Sequence, residues 1–445
     1  MKPDVLVAEI GSTITKLSAF SGIETKRPSL AGRGIALTSV GEGDVMIGLS
    51  RARQDLLARS GIDAGELGRD VPLFALSSAA GGLRMTVHGL TMDMTLRAAR
   101  EASLGAGAIV VGATAGALTP GDIDEIRRLR PNLILLSGGV DHGDREVVVT
   151  NARRLSAAGL KVPVIYAGNV AAKSEVEKVF ADAGMGLFVT ENVYPRIDEL
   201  NVGPTRRIIQ EVFARHIVTA PGMERVKEAA GGTVVPTPGA VLKAAEILYD
   251  EIGDLAAVDV GGATTDVHSV TEGSLKLAAM TVSPEPLAKR TVEGDLGVFI
   301  NAAHVAKEAR EESFDLAGLV PLPRDEREIE RARSLTRWAV DLSIWRHAGS
   351  IRVSYGAYGK SEIVEGRDLT RVRHLIGTGG ALAMLPGGAE ILAGIRRDPH
   401  KKKLLPPPEA AVHIDRDYVM AAAGILGERY RDAACAVMRK SLGLG

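Results

Sequence analysis

The stretch VDVGGATTDVH (Val258–His268) sets the fold question. β-branched residues stand on both sides of a tip made of Gly261, Gly262, Ala263 and Thr264, the pattern of an antiparallel hairpin. Two carboxylates, Asp259 and Asp266, flank that tip, which has almost no side-chain bulk. Successive backbone N–H groups in such a turn form a concave anion site. Glycine lets the anion approach the chain, and the hydroxyls of Thr264 and Thr265 add donors. A carboxylate at the end of the incoming strand cannot bind phosphate. It can hold a hydrated Mg²⁺ that bridges phosphate oxygens. Asp266, opening the outgoing strand, is then placed to accept a hydrogen bond from metal-bound or attacking water.

A related hairpin lies 250 positions upstream. EIGSTITK (Glu9–Lys16) matches DVGGATTD (Asp259–Asp266): acid, aliphatic residue, glycine, two small residues, one further residue, threonine, charged residue. Its phosphate turn is Gly11, Ser12 and Thr13, and Glu9 takes the place of Asp259. Either hairpin alone is compatible with an ordinary glycine turn at a surface; two of them predict a pair of turns clamping one polyphosphate. A third element, HLIGTGGALAML (His374–Leu385), ends an apolar strand in Gly377, Thr378, Gly379 and Gly380 before a helical start. Such a turn lets a base and ribose lie against backbone near a helix N-terminus. Its glycine spacing is not that of a dinucleotide turn, and no GK[ST] follows to make a Walker A loop.

The totals fit a nucleotide-binding protein without nucleic acid or membrane partners. The chain has 445 residues, enough for about three domains, or two large lobes with insertions. Fifty-four basic residues balance 55 acidic ones, so there is no electrostatic footprint for nucleic acid or an anionic membrane. No apolar run reaches the ~18 residues of a membrane span. The start, MKPDVLVAEIGS, reads as a strand and not as a signal peptide. Cys435 is the single cysteine and is expected to be buried and inert; an internal disulfide framework and an all-cysteine cluster within one chain are excluded, and a cytoplasmic setting is the simplest. The nine histidines form no HExxH pattern, and His268 reads as a strand residue.

From about Val71 to Val193 short apolar runs alternate with helical patterns, beginning with VPLFALSS and ending with GLFVTEN, which predicts a parallel α/β sheet. Within it, LLSGGVDHGDRE (Leu135–Glu146) reads as a strand-to-helix turn capped near Asp144, with a second ligand site or partner surface as the alternative. SSAAGG (Ser77–Gly82) reads as another such turn, and HKKK (His400–Lys403) as a solvated loop.

The two hairpins and the GTGG turn, in this order, resemble the phosphate-1, phosphate-2 and adenosine motifs of the acetate/sugar kinase, heat-shock chaperone and actin superfamily. That resemblance implies a two-lobed α/β, ribonuclease H-like fold with an additional α/β region (about 71–193) in the first lobe. The lobes would be residues 1–245 and 246–445, with ATP or ADP and Mg²⁺ in the cleft. SSAAGGLRMTVHGL, LLSGGVDHGDREVVVTNARRL, NVYPRIDELNVGPTRRIIQEVFARHI, PTPGAVLKAAEILY and HLIGTGGAL further resemble the MutL-type (GlmL) accessory proteins of adenosylcobalamin-dependent glutamate mutase and related aminomutases. This implies a slow Mg-dependent ATPase acting as a chaperone on such a mutase, releasing damaged cobalamin so that intact adenosylcobalamin can bind, with a homodimer as a candidate assembly. Carried over, Glu9, Asp259 and Asp266 are the catalytic carboxylates, and Glu9 and Asp259 hold Mg²⁺ through water. Gly11, Ser12, Thr13, Lys16, Gly261, Gly262, Ala263, Thr264, Thr265, Gly377, Thr378, Gly379 and Gly380 bind the nucleotide. The superfamily usually has Asp at position 9; the extra methylene of Glu9 moves the carboxylate by roughly 1 Å, a misplacement that can cost about 10²-fold in rate. A small-molecule kinase or an actin-like nucleotide-binding protein is the alternative on the same fold, although no residue stands out as a general base for an acceptor hydroxyl. The radical-dehydratase activators share a similar first turn but need several cysteines.

Overall fold

Both hairpins form, and in the same register. The computed structural model describes residues 2–68, 70–78, 83–216, 220–356 and 359–444. β1 (Val5–Ile10) pairs antiparallel with β2 (Ile14–Ser21), placing Glu9 opposite Lys16 and Ile10 opposite Thr15. β2 pairs antiparallel with β3 (Ser29–Leu37), and β4 (Leu73–Ser77) lies parallel to β1 on its other side. β4 is the core of VPLFALSS, which therefore belongs to the hairpin sheet and not to the parallel α/β sheet. Its short apolar run fits either environment, and pairing with β1 decides.

The chain then leaves this sheet and builds a separate one from β5 (Leu83–Gly89), β6 (Ala108–Ala115), β7 (Leu133–Leu136), β8 (Val164–Tyr166) and β9 (Leu187–Val189). These strands are all parallel, in the order β6-β5-β7-β8-β9. Their core includes Leu118, Ile134, Leu136, Val164, Tyr166 and Phe180, with helices Pro120–Leu129, Glu146–Ala157 and Lys173–Asp182 packed on it.

The chain returns through β10 (Val235–Pro236), which completes the first sheet as β10-β4-β1-β2-β3. β11 (Leu255–Val260) and β12 (Thr265–Val270) form the second hairpin, with Asp259 opposite Asp266 and Val260 opposite Thr265. β13 (Ala288–Glu293) flanks β12. β14 (Ser350–Gly356) and β15 (Gly359–Glu365) form a two-stranded sheet of their own. β16 (His374–Thr378) lies parallel to β11, and β17 (Ala411–Ile414) parallel to β16. The second sheet, β13-β12-β11-β16-β17, thus repeats the first strand for strand, each a three-stranded antiparallel half extended by two parallel strands. This is the ribonuclease H-like, actin-type pattern.

Compactness groups the chain as Met1–Ala80, Val218–Val282 and Leu287–Gly445 in one unit, and Gly81–Ile217 with Ser283–Pro286 in another. The additional α/β region is thus a body inserted between two strands of the first sheet. Position 245 falls inside the helix Thr237–Ile252. That helix and the helix Met420–Leu426 each follow the last strand of one sheet, and they cross so closely that a Cβ on Gly424 would lie 1.9 Å from Ala240 O. Together with the helix Arg431–Leu442 they bury Val7, Phe20, Leu255, Ala257 and Ile376 from the two sheets in one core, each large side chain contributing about 1.5–3 kcal/mol. Cys435 lies in this core as a buried free thiol. HKKK is less solvated than expected: Lys403 Nζ donates to Ala348 O (2.7 Å) and lies over the Trp345 ring. Among the described residues no helix is long and apolar enough to cross a membrane.

Candidate functional site

The two hairpin tips have the same geometry and touch. Gly11 N–H donates to Ile14 O at 2.9 Å, and Gly261 N–H donates to Thr264 O at 2.9 Å, so both turns close identically. A Cβ on Gly262 would stand 2.4 Å from Thr13 Oγ1, which makes glycine obligatory where the tips meet. The first tip is tied down by Ser12 Oγ, which donates to Ser78 O (2.9 Å). The second is held from behind: the amides of Phe299 and Ile300 donate to Gly262 O, and Asn301 Nδ2 donates to Ala263 O at 2.7 Å.

Both tips line one cavity of about 680 Å³. Gly11, Ser12 and Thr13 face it from one side, Gly261, Gly262, Ala263 and Thr264 from the other, with Glu9, Asp259 and Asp266 on its floor. Gly380 lines it too, and beside it Leu319, Pro321, Leu322, Met384 and Leu385 make an apolar end. The rest of the GTGG turn is wall structure. Gly379 has φ +84°, and a Cβ there would lie 2.4 Å from Asp259 Oδ1 and 2.5 Å from Val260 N, so this turn packs directly on the second hairpin. Thr378 Oγ1 donates to the buried Asp415 (2.8 Å), which also accepts from Val419 N, Met420 N and Ser441 Oγ. Gly377 sits within β16 against Ile414 and Leu392. Residues 79–82 of SSAAGG lie outside the described residues.

The charges on the floor follow from cross-strand register. Glu9 faces Lys16, whose Nζ lies 2.9 Å from Glu9 Oε2, donates to Tyr418 O at 2.8 Å, and stands 3.3 Å from the centroid of the Tyr418 ring. Lys16 is only 2% exposed and does not line the cavity. Its ammonium is thus placed against Glu9 and Tyr418. Thr265 is likewise buried, its Oγ1 donating to Leu296 O at 2.7 Å. Asp266 faces Asp259, and Arg290 on β13 resolves the repulsion. Arg290 Nε donates to Asp266 Oδ1 at 2.8 Å, both groups are buried, and Thr264 Oγ1 donates to Asp266 Oδ2 at 3.2 Å.

Of the three carboxylates, Glu9 is thus paired with Lys16 and Asp266 with Arg290, while Arg33, Arg59 and Arg324 line the cavity around them. Among the described residues no cation pairs with Asp259. Burial, then the neighbouring Asp266 and Glu9, push its carboxyl up to about 8, which Lys16 and Arg290 only partly offset. Bringing a divalent cation near would restore its charge, so the donor set fits a hydrated Mg²⁺. Direct ligation is a different matter: among the described residues no three His, Cys, Asp or Glu converge as a metal site.

Arg290, Tyr418, Asp415 and Asn301 are parts of this arrangement that no sequence motif marks. Arg33 joins them, donating from Nη1 to Asp417 O at 2.5 Å beside the cavity. A β-branched run around AKRTVE was the only available signal for Arg290.

A family model described as MutL protein matches residues 5–442. Protein MutL of Clostridium tetanomorphum is 36% identical over 462 residues, covering 98% of this chain and 98% of that protein. Among solved structures, nucleotide-free acetone carboxylase has a TM-score of 0.41 at 14% identity, covering 96% of this chain and 70% of that one. The nucleotide-free diol dehydratase-reactivating factor has a TM-score of 0.34 at 10% identity, covering 96% of this chain and 100% of that one.

Proposed function

The chain belongs to the MutL protein family, and from that premise we propose that it is an ATP-binding, slowly ATP-hydrolysing chaperone for an adenosylcobalamin-dependent mutase in the cytoplasm. It promotes exchange of damaged cobalamin for intact cofactor, with glutamate mutase or a related aminomutase as client. The observation that carries the reading is the meeting of two matching glycine turns over the carboxylates Glu9, Asp259 and Asp266 in one cavity.

In this reading the halves 1–245 and 246–445 act as the two lobes. Gly11, Ser12 and Thr13 grip the polyphosphate from one side, Gly261, Gly262, Ala263 and Thr264 from the other. The turn Gly377–Gly380 supports the ribose, and the apolar end around Leu322 and Leu385 receives the base. Glu9 and Asp259 would hold a hydrated Mg²⁺, which would offset the charge of the phosphate oxygens. Asp266, fixed by Arg290, orients water near the phosphates. Lys16, 2.9 Å from Glu9 Oε2, fixes that side chain in place. The longer reach of Glu9 fits slow turnover, which suits a switch whose nucleotide state selects between conformations.

The test is reactivation in purified components. A mutase carrying an inactive cobalamin is mixed with this protein, Mg²⁺, ATP and free adenosylcobalamin. Recovery of mutase activity with release of the dead cobalamin, dependent on ATP, is expected. No release and no recovery with several aminomutases would overturn the reading.

A further inference from the structure

The unit Gly81–Ile217 carries a surface that the cleft does not use. Its strands run parallel in the order β6-β5-β7-β8-β9, so the winding reverses between β5 and β7. Open parallel sheets of this kind meet their ligands at the carboxyl ends of the strands, at that reversal. Here the chain's own turn occupies the reversal point. Ser137 Oγ donates to His88 O (3.2 Å) and Thr95 O (3.3 Å), and the amides of Leu90 and Thr91 donate to Thr95 Oγ1.

What the loops at the carboxyl edge present instead are exposed apolar side chains. Among the described residues of this unit the exposed large hydrophobics are Met92, Val170 and Ile197, at 64%, 49% and 69% exposure. Each follows the carboxyl end of a different strand, β5, β8 and β9. The intervening loop after β7 is held firmly. Asn169 Oδ1 accepts from His142 N (2.9 Å), Asn169 Nδ2 donates to Gly143 O and Asp144 O, and Asn192 Nδ2 donates to Gly139 O and to Asp141 Oδ1. A surface fixed in this way loses little freedom on binding a protein. Its fringe is acidic: exposed Asp93, Asp144, Glu146, Glu191, Asp198 and Glu199 outnumber Arg145, Lys173 and Arg196.

We infer that this carboxyl edge is a protein-docking surface whose occupant is an apolar ridge flanked by Lys and Arg on the client mutase. The inference rests on the client reading above. Met92 and Ile197 are the anchors, and the acidic fringe steers the approach, so affinity falls as salt is raised.

The experiment uses the full-length chain and a purified mutase shown to be reactivated, with binding measured by calorimetry in Mg–ADP and in Mg–ATP. Met92→Asp with Ile197→Asp weakens mutase binding by at least about 10-fold, while nucleotide affinity stays at the wild-type value and so reports an intact cleft. Asp93→Lys with Asp198→Lys slows association several-fold and flattens its salt dependence. Wild-type binding that both variants share overturns the docking surface and leaves the client reading standing. Absence of wild-type binding to a mutase that is reactivated overturns the docking surface. A change of the chain's own oligomeric state in the variants, with mutase binding intact, makes a second copy the occupant and also overturns the inference.

Discussion

Substitution of Lys16 by methionine removes a buried charge and keeps most of the stem. Lys16 and Glu9 are both buried, their charged atoms 2.9 Å apart, so the variant leaves the Glu9 carboxylate in a low-dielectric floor beside Asp259. Breaking a buried pair in this way costs about 3–5 kcal/mol. Loss of the cation over the Tyr418 ring adds about 1–2 kcal/mol, which retained packing of the stem partly offsets. At roughly 2 °C per kcal/mol for a unit of this size, the melting temperature falls by about 7–12 °C. Glu9→Gln in the same background removes the orphaned charge, and the double variant recovers about 2–3 kcal/mol of coupling. Scanning calorimetry or thermal denaturation of the wild type, both single variants and the double variant measures the cycle. A lysine that contacts phosphate would behave otherwise. Lys16→Met would then melt near the wild type but bind nucleotide far more weakly, and Glu9→Gln would rescue nothing. That outcome would refute the placement of Lys16 beneath Glu9.

Asp259→Asn removes the carboxyl that burial pushes up to about 8. The nucleotide-free variant melts no lower than the wild type, while Mg²⁺-dependent nucleotide affinity drops by at least about 10-fold, measured by calorimetry with and without Mg²⁺; an unchanged Mg²⁺ dependence contradicts the assignment. Gly379→Ala forces a left-handed residue against Asp259 Oδ1 and the Val260 backbone, costing about 2–4 kcal/mol and abolishing nucleotide binding; a variant that melts and binds normally disproves the tight packing of this turn. In the inserted unit, His88 is buried between the hydroxyls of Thr86 and Thr114, and burial lowers its pKa from 6.5 to about 4. The unfolded chain therefore binds the extra proton between those two values. Stability present above pH 6.5 is lost as the pH falls toward 4, by up to about 3 kcal/mol. Hydrogen-exchange protection of β5 and β7 reports it, and a profile equally flat in the wild type and in His88→Gln contradicts it.

The hairpins were readable because their chemistry is local. Acid, glycine, hydroxyl and returning strand lie within eight residues, and the ladder confirms the 250-residue offset residue for residue, Glu9 opposite Lys16 and Asp259 opposite Asp266. The GTGG turn was readable for the same reason. Arg290, Tyr418 and Asp415 were not, because each reaches the site only through sheet order: β13 beside β12, and the chain after β17 folding back over β1 and β2. VPLFALSS pairs with β1 although its sequence suits the parallel sheet equally, since a five-residue apolar strand carries no record of its partner. Lys16 shows the remaining gap. Its strand position was legible, but which way its charge is spent depends on Tyr418, 402 residues away in the chain.

The most direct measurement is a crystal structure of the full chain with Mg²⁺ and a non-hydrolysable ATP analogue. The account predicts the terminal phosphates between Gly11–Thr13 and Gly261–Thr264, with a hydrated metal facing Glu9 and Asp259 and no contact from Lys16. A nucleotide bound elsewhere, or gripped by one turn alone, would contradict it.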